Sequence, residues 1–243
     1  MDFEQQALRD ASLLTQKDIE NFYEQLEKIP TFKSPLDGKS TVLCFEFMED
    51  TGSRVTETIH VKKKDVNFKT RVLTITHPKT EAQCKCSKWK YRDEYTRVRV
   101  LESSDPNCIH CFGKGKWKKP QLTTITPRIY QKLIDYCRPM KDEDYLFPVS
   151  RQSLWKWGKK AGQLAELNIF KQKKEQLVEG VFLHLFRALC SLRMTRDAKD
   201  DLYTQQLISC KLRHSFQAMV DRYTVLDIGY LLSWEDKTYG NKK

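Results

Sequence analysis

No stretch of this sequence has enough consecutive apolar residues to cross a lipid bilayer. The first fourteen residues, MDFEQQALRDASLL, are acidic and interrupted by charges, which is typical of neither a signal peptide nor a transit peptide. The sequence also lacks internal repeats and low-complexity linkers. We therefore expect a soluble, intracellular protein whose 243 residues build one substantial core, or one domain that carries a small satellite.

Negative charge is in the minority. The chain has 43 Lys and Arg residues against 32 Asp and Glu residues, which gives a formal net charge of +11. A polyanion is the favoured partner, because lysines and arginines that neutralise phosphates release counterions and bind without regard to sequence. A basic surface that is merely solvated would have the same composition, so charge alone does not decide whether a nucleic acid binds.

The eight cysteines fall into two kinds. Four stand singly in apolar or helical surroundings and are expected to be small buried side chains: Cys44, Cys137, Cys190 and Cys210. The other four form the close pairs CKC and CIHC: Cys84, Cys86, Cys108 and Cys111. In an intracellular protein, close pairs of this kind indicate a metal site more than disulfides.

Hydrophobic periodicity predicts helices before and after a short run of strands. The predicted helices are 16–29, 40–49, a short piece through Ile59, 127–136, 151–166, 182–196, 203–210, 215–222 and 225–233. The predicted strands are 71–76, 95–101 and 121–125. Thr15 and Asp18 should cap the first helix, and Pro30 should end it. This order predicts a mostly α fold with a small antiparallel sheet at its middle.

Three segments carry polar residues whose order is unusual. TGSR (51–54) follows a buried apolar segment, HLFR (184–187) lies at the start of a helix, and HSFQAMVDRY (214–223) ends on a tyrosine. Taken singly, each has an ordinary explanation. Arg54 can be a helix-surface cation, His184 a core histidine and Tyr223 a core aromatic.

Together and in this order, these segments resemble the tyrosine recombinase (phage integrase) family. That family has a TG-x-R box, a β-hairpin lysine, an H-x-x-R box, a late histidine and a nucleophilic tyrosine. The resemblance covers residues 15–230. It implies a site-specific DNA recombinase or integrase with the catalytic-domain fold of that family.

The resemblance also implies a role for each matched residue. Tyr223 would cleave and rejoin DNA through a covalent 3′-phosphotyrosine intermediate. Arg54 and Arg187 would hold the phosphate oxygens, since guanidinium groups bind them in pairs and keep their charge. His184 would act as a general base or phosphate donor, and His214 would donate a hydrogen bond to the scissile phosphate. Catalysis would require neither a metal ion nor a nucleotide.

A lysine should protonate the leaving 5′ oxygen. Lys79, in THPKTE just after the strand 71–76, fits the hairpin position best, because a catalytic acid should lie on a hairpin joined directly to the core. Lys114, Lys116 and Lys118 are rivals, since their segment leads into the returning strand.

The chain departs from the family pattern at this hairpin, which is short in most relatives. Here some forty residues intervene (80–119), and they contain both cysteine pairs. Cys84, Cys86, Cys108 and Cys111 can surround a structural Zn²⁺ as four thiolates, and His110 can replace one of them. The alternative is four reduced cysteines in a loop. A second departure is LRH (212–214), where relatives usually carry a glycine before the histidine.

The expected organisation is an N-terminal extension, 1–14, followed by a catalytic domain, 15–243, that includes the insertion. Many relatives have a further N-terminal helical domain, so we expect either a minimal enzyme or a fragment. The expected partner is double-stranded DNA. A homo-tetramer would bind two duplexes, and the free protein would be monomeric. The segment 225–234 would contact a neighbour in that assembly, or else its own core.

The expected location is the prokaryotic or virus-infected cytoplasm, at the nucleoid, with no membrane partner. Two other functions remain open from the sequence. A type IB topoisomerase-like relaxase would share the chemistry without exchanging partners. A non-catalytic, zinc-stabilised DNA-binding protein would keep the fold alone.

Overall fold

The computed structural model describes residues 10–29, 35–78, 81–91, 99–167, 179–197, 207–208, 210–212 and 228–240. The chain divides into two compact units. The larger combines Met1–Ile75 with Leu122–Lys243, and the smaller is Thr76–Gln121. Within the described ranges, no helix is long and apolar enough to cross a membrane.

The larger unit is mostly helical. Its described helices are α1 (Gln16–Glu27), α2 (Gly38–Thr51), α3 (Val55–Thr58), α4 (Pro127–Cys137), α5 (Arg151–Leu164), α6 (Glu179–Asp197) and α7 (Ile228–Tyr239). A single 3₁₀ turn, Lys63–Asp65, precedes the first strand.

A three-stranded sheet accompanies these helices. It is formed by β1 (Val66–Asn67), β2 (Val72–Ile75) and β7 (Gln121–Thr124), with β2 in the middle. β1 and β2 are antiparallel, and Val66 lies opposite Leu73. The Asn67 side chain accepts hydrogen bonds from the backbone N–H groups of Lys69 and Thr70, which closes the turn between them.

Helix α2 is the centre of the core. It packs against α1, α4 and α6, and Phe45, Phe47 and Met48 on it are fully buried. Three rings meet edge-on or tilted where α1, α2 and α6 touch: Phe45 lies 5.8 Å from Phe22 and 4.8 Å from Phe186 between ring centroids. A helix that is apolar on most sides needs neighbours on most sides, and α2 has them.

Helix α7 is held to its own chain by a buried ion pair. Lys211 Nζ lies 2.6 Å from Glu235 Oε1, and both side chains are inaccessible to solvent. Lys211 also donates to the carbonyl and hydroxyl oxygens of Thr124, each at 2.8 Å. Trp234 packs against a small apolar cluster that includes Leu212. The predicted contact of 225–234 with a neighbouring copy stays a prediction.

The smaller unit contains two short antiparallel ladders. β3 (Ala82–Gln83) pairs with β6 (Lys116–Trp117), and β4 (Lys88–Tyr91) pairs with β5 (Arg99–Ser103). Turns at 84–87 and 105–115 follow β3 and precede β6, and these turns carry the two cysteine pairs.

The predicted fold class, mostly α with small antiparallel sheets, is confirmed. Thr15 and Asp18 form the capping box of α1, although the helix ends at Glu27, two residues before the predicted end, and Pro30 lies outside the described residues. Helix α7 is described from Ile228 and ends at Tyr239, six residues beyond the predicted end, and positions 225–227 lie outside the described residues. The polar second half of α7 lacks the regular spacing of apolar residues that predicts a helix. The ion pairs of Glu235 with Lys211 and of Asp236 with Arg71 stabilise it instead.

Three other predicted elements fall partly or wholly outside the described residues. Only positions 207–208 and 210 of the predicted helix 203–210 are described, and 215–222 is not. The strand predicted over 95–101 is seen from Arg99 and extends to Ser103.

Candidate active site and cysteine cluster

The C-terminal end of α2 is buried, and several segments supply donors to its carbonyl groups. The last carbonyls of a helix have no partner within it. Asp50 O accepts from Cys190 Sγ at 3.5 Å and from Arg193 Nη2 at 3.4 Å, both on α6. Thr51 O accepts from Thr123 Oγ1 at 3.3 Å, on β7. The end of α2 is therefore a junction of elements that are far apart in the sequence.

Arg187 completes this junction. Its guanidinium donates to the backbone carbonyl of Gly52 through Nη1 and to that of Leu212 through Nη2. The residue is only 4% exposed. One side chain of the H-x-x-R segment thus touches both the TG-x-R segment and the segment that leads to His214.

Both the backbone conformation and the neighbouring side chains require glycine at position 52. Its φ of 61° lies in the left-handed region, where a glycine ends a helix without strain. A Cβ atom placed on it would lie 2.4 Å from Leu212 Cδ2. Because Gly52 has no side chain, residues 211–212 lie close to the turn after α2. Arg187 can therefore contact both segments.

Arg54 is positioned by Glu57, a residue that the sequence analysis did not single out. Arg54 Nη1 lies 3.2 Å from Glu57 Oε1, and the backbone N–H of Arg54 donates to Glu57 Oε2 at 2.9 Å. The Glu57 side chain is fully buried, whereas that of Arg54 keeps 14% of its surface exposed. The three-residue spacing that places an acidic side chain over the start of α3 is the capping-box signal, so the sequence did contain it.

His184 lies on α6, three residues before Arg187 and therefore on the same side of the helix. It is half-buried, between the buried residues Leu183 and Leu185. It stands in the second turn of α6 and not at the beginning of the helix, since α6 starts at Glu179.

A buried carboxylate lies behind this site. Asp50 accepts from the backbone N–H of Thr126 at 2.9 Å and from its hydroxyl. Burial opposes ionisation of Asp50, but the charges of Lys211, Arg193 and Arg128 outweigh it and hold the pKa of Asp50 below its usual value. Thr126, the residue before α4, makes no side-chain cap and uses its hydroxyl to bind Asp50.

Glu49 extends this charged cluster outward. Its Oε1 lies 3.3 Å from both Arg193 Nη1 and Arg128 Nη2, and its Oε2 accepts from the Tyr23 hydroxyl at 2.7 Å. Burial, and then the charge of Glu49, raise the pKa of Tyr23 well above its usual value. The cluster was not predicted, because acidic residues inside an apolar helix have no local pattern that pairs them with arginines 80 to 140 residues away.

Three of the predicted catalytic residues lie outside the described residues: Lys79, His214 and Tyr223. Their roles stay predictions. The rival lysines Lys114, Lys116 and Lys118 are exposed. Lys116 Nζ lies 4.8 Å from the centroid of the Trp89 ring, within the smaller unit.

The four paired cysteines of the smaller unit come together. Their sulfur atoms all lie within 4.8 Å of one another. Cys84 Sγ is 3.5 Å from Cys108 Sγ, and Cys86 Sγ is 3.4 Å from Cys111 Sγ. These distances are too long for disulfides. They are near the roughly 3.8 Å between sulfurs that a tetrahedral metal with ~2.3 Å bonds to sulfur would require.

The backbone around the cluster favours thiolate at one position. N–H groups of Cys111 and His110 donate to the Cys108 sulfur and lower its pKa to about 6. Burial raises the pKa of Cys86 to about 12 in the same cluster. The His110 ring lies against the Trp117 ring, with centroids 4.7 Å apart. The four cysteines, without His110, therefore form a set that can bind a metal ion.

The sequence matches no protein-family model, and no curated protein matches it. Among solved structures, the integrase of transposon Tn1549 bound to transposon right-end DNA overlaps 93% of this chain, with a TM-score of 0.46 and 14% identity. The catalytic domain of bacteriophage HP1 integrase overlaps 86% of this chain, with a TM-score of 0.46 and 15% identity.

The chain spans 65% of the Tn1549 integrase structure and 84% of the HP1 domain. Both proteins are integrases, the class that the sequence motifs resemble. At this level the overlap decides neither the fold nor the activity of the chain, which depend on its own residues.

Gly52→Ala should lower the free energy of unfolding by about 2–4 kcal/mol, because an L side chain is strained at positive φ and its Cβ would overlap Leu212. Urea denaturation followed by far-ultraviolet circular dichroism measures this loss, since the helices lie in the larger unit.

Leu212→Ala, alone and combined with Gly52→Ala, is the matched control. Removal of the Leu212 side chain relieves the overlap but leaves the strained backbone, so the double variant should lose less than the sum of the single variants. If Gly52→Ala unfolds at the same urea concentration as the unmodified protein, the close approach of these segments is wrong.

Proposed function

We propose that this chain is the catalytic domain of a tyrosine recombinase, a site-specific recombinase or integrase that cleaves and rejoins DNA through a 3′-phosphotyrosine at Tyr223. The contact that supports the proposal is the Arg187 guanidinium, which donates to Gly52 O and Leu212 O. It brings HLFR against TGSR and against the segment two residues before His214. In the proposed site these three segments surround one DNA phosphate.

The arginines would stabilise the transition state by their charge and their fixed positions. A phosphodiester under attack gathers negative charge on its non-bridging oxygens, and preorganised cations stabilise that charge most effectively where water is excluded. Two backbone carbonyls fix Arg187, and buried Glu57 orients Arg54. These contacts would hold both guanidinium groups in place before the substrate binds.

The proposed reaction conserves its bond energy. The Tyr223 oxygen attacks phosphorus and loses its proton, which His184 can accept, and the bond from phosphorus to the 5′ oxygen breaks. Lys79 donates a proton to the leaving 5′ oxygen. A 5′ hydroxyl of the recombining strand then attacks the phosphotyrosine and restores both the phosphodiester and the phenol. The covalent link stores the energy for rejoining, so the step needs no nucleotide, and arginines provide the positive charge that a metal ion supplies elsewhere.

The proposed partner is double-stranded DNA, which the net charge of +11 favours. Complete recombination would need four copies of the chain on two duplexes, and each copy would be monomeric when free. The proposed location is the cytoplasm of a prokaryote or of a virus-infected cell. The proposed division of the chain is an extension over 1–14 and a catalytic domain over 15–243, with the insertion at 80–119.

We also propose that Cys84, Cys86, Cys108 and Cys111 bind one structural Zn²⁺. The smaller unit needs such a centre, because none of its described Leu, Ile, Val, Phe or Trp side chains is buried. Cys84 and Cys111 of the cluster are themselves buried. Zn²⁺ would join its two ladders in place of an apolar core.

Tyr223→Phe should abolish covalent attachment to DNA, since the variant lacks the nucleophilic oxygen. The substrate is a nicked suicide duplex that carries the sequence enriched from a random pool by the purified protein. Denaturing electrophoresis detects the protein–DNA adduct. Tyr145→Phe, at a tyrosine that is 44% exposed, is the matched control and should form the adduct at the normal rate.

Three other results would each point elsewhere. Absence of an adduct with the unmodified protein would favour the non-catalytic zinc-stabilised DNA-binding protein. Relaxation of supercoiled plasmid without site preference would favour the type IB topoisomerase-like relaxase. An adduct that persists in Tyr223→Phe would assign the nucleophile to another residue.

Lys79→Ala should slow cleavage by about 10²–10⁴-fold, as expected for loss of a general acid. A substrate with sulfur at the 5′ bridging position should restore the rate, because a thiolate leaves without protonation. Cleavage is timed on both substrates. Lys114→Ala, Lys116→Ala and Lys118→Ala are the controls, and the lysine whose loss is rescued by the sulfur substrate is the acid.

The purified protein should contain one zinc ion per chain, and Cys108→Ser should lose it, since serine does not supply a thiolate ligand. Elemental analysis measures the content. Cys210→Ser, outside the cluster, should keep the metal. Chelation should expose residues 76–121 to protease while the far-ultraviolet helix signal stays unchanged, and full protease resistance without metal would contradict a structural ion.

A further inference from the structure

The smaller unit displays two large apolar side chains at the turn that carries its second cysteine pair. Ile109 is 77% exposed and Phe112 is 73% exposed. The other exposed large apolar residues among those described range from 38% to 54%. We call this turn, residues 108–112, the cysteine turn.

Folding does not explain Phe112 at this position. Its φ is 48°, in the left-handed region that bulky residues avoid. A glycine would adopt this conformation without strain, as Gly113 and Gly115 do immediately afterwards. A large side chain that is both strained and exposed adds nothing to the core of the unit. Strain of this kind is common where a side chain must be presented to a ligand.

The cysteine turn is held firmly. The backbone N–H of Phe112 donates to Cys108 O at 2.8 Å, and that of Lys114 donates to Cys111 O at 2.9 Å. His110 lies against Trp117 inside the unit. Ile109 and Phe112 are three residues apart on this single turn. The cysteine cluster would therefore support both of them as one rigid apolar tip.

The smaller unit has more exposed cations than exposed acidic residues among those described. Six lysines of the unit are exposed: Lys85, Lys88, Lys114, Lys116, Lys118 and Lys119. Three acidic residues among those described in the unit are exposed: Glu81, Glu102 and Asp105. An apolar tip on a basic unit matches a DNA duplex, whose phosphates flank a stack of apolar base faces. Proteins that kink DNA insert Phe or Ile side chains between base steps from the minor groove in this way.

We propose that the cysteine turn inserts Ile109 and Phe112 between base pairs of the DNA and kinks the duplex, while exposed lysines of the same unit bind phosphates. This inference rests on the proposed function, because it takes DNA as the partner. It adds to that function a distortion of the DNA by the insertion.

The test uses the zinc-loaded full chain and two fluorescein-labelled duplexes that differ by one central mismatch. A mismatch removes part of the unstacking cost, so a protein that inserts a wedge binds the mismatched duplex more tightly. Anisotropy titrations should give a dissociation constant about tenfold lower for the mismatched duplex. The double variant Ile109→Ala/Phe112→Ala should reduce this ratio to about twofold or less and still bind the paired duplex through its lysines.

Leu164→Ala is the matched control, because Leu164 is 54% exposed and lies on α5 of the larger unit. It should keep the full preference for the mismatch. Zinc content equal to that of the unmodified protein shows that the cysteine turn of the double variant is folded.

Each outcome separates the two proposals. Equal binding of both duplexes by the unmodified protein, or a preference that survives in the double variant, would overturn the inference and leave the proposed function standing. Failure to bind either duplex would overturn both. Binding to phosphatidylglycerol vesicles that is lost in the double variant, with the mismatch ratio unchanged, would assign the tip to membranes and overturn the inference. The Tyr223 adduct assay is independent of all these results.

Discussion

The buried end of helix α2 sets the main constraint on the larger unit. Its last carbonyl groups point into the protein, where each needs a donor because an unpaired polar group is costly away from water. Helix α6 and strand β7 supply those donors, through Arg193 and Thr123 for example. Arg187 donates in the same way to the carbonyl of the next residue, Gly52, and also to the carbonyl of Leu212. The hydrogen bonds that complete a helix end therefore also bring the three motif segments together.

The charges at the C-terminal end of α2 are also paired with groups from other elements. The C-terminal end of a helix carries partial negative charge, and Asp50 adds a full one, so buried cations are stable there. Lys211, Arg193 and Arg128 compensate the charge of Asp50. The same helix end holds Arg187, and such preorganisation is what the proposed phosphate site would require. In the proposed enzyme, stability and catalysis would thus depend on the same arrangement. Buried Glu57 has a corresponding effect on Arg54, since it holds the guanidinium from one side.

The smaller unit is organised differently. Its described Leu, Ile, Val, Phe and Trp side chains are not buried, and its four paired sulfur atoms lie within 4.8 Å of one another. A unit of this size lacks the volume for a large core, so a metal ion is an effective substitute. Ile109 and Phe112 are not part of a packed core and are exposed to solvent. The small core that would require the proposed metal would thus also leave Ile109 and Phe112 exposed for the proposed DNA contact.

The sequence by itself determined the order and type of most described elements, the capping of α1 by Thr15, the proximity of each cysteine pair and the polar residue types of the motifs. All of these depend on a few neighbouring residues, whose spacing is visible in the chain. Only the tertiary structure decided that Arg187 binds two carbonyls, that Asp50 is buried among cations and that Lys211 pairs with Glu235. These pairings join residues far apart in the chain, and packing of the helices decides which of the many charged side chains meet.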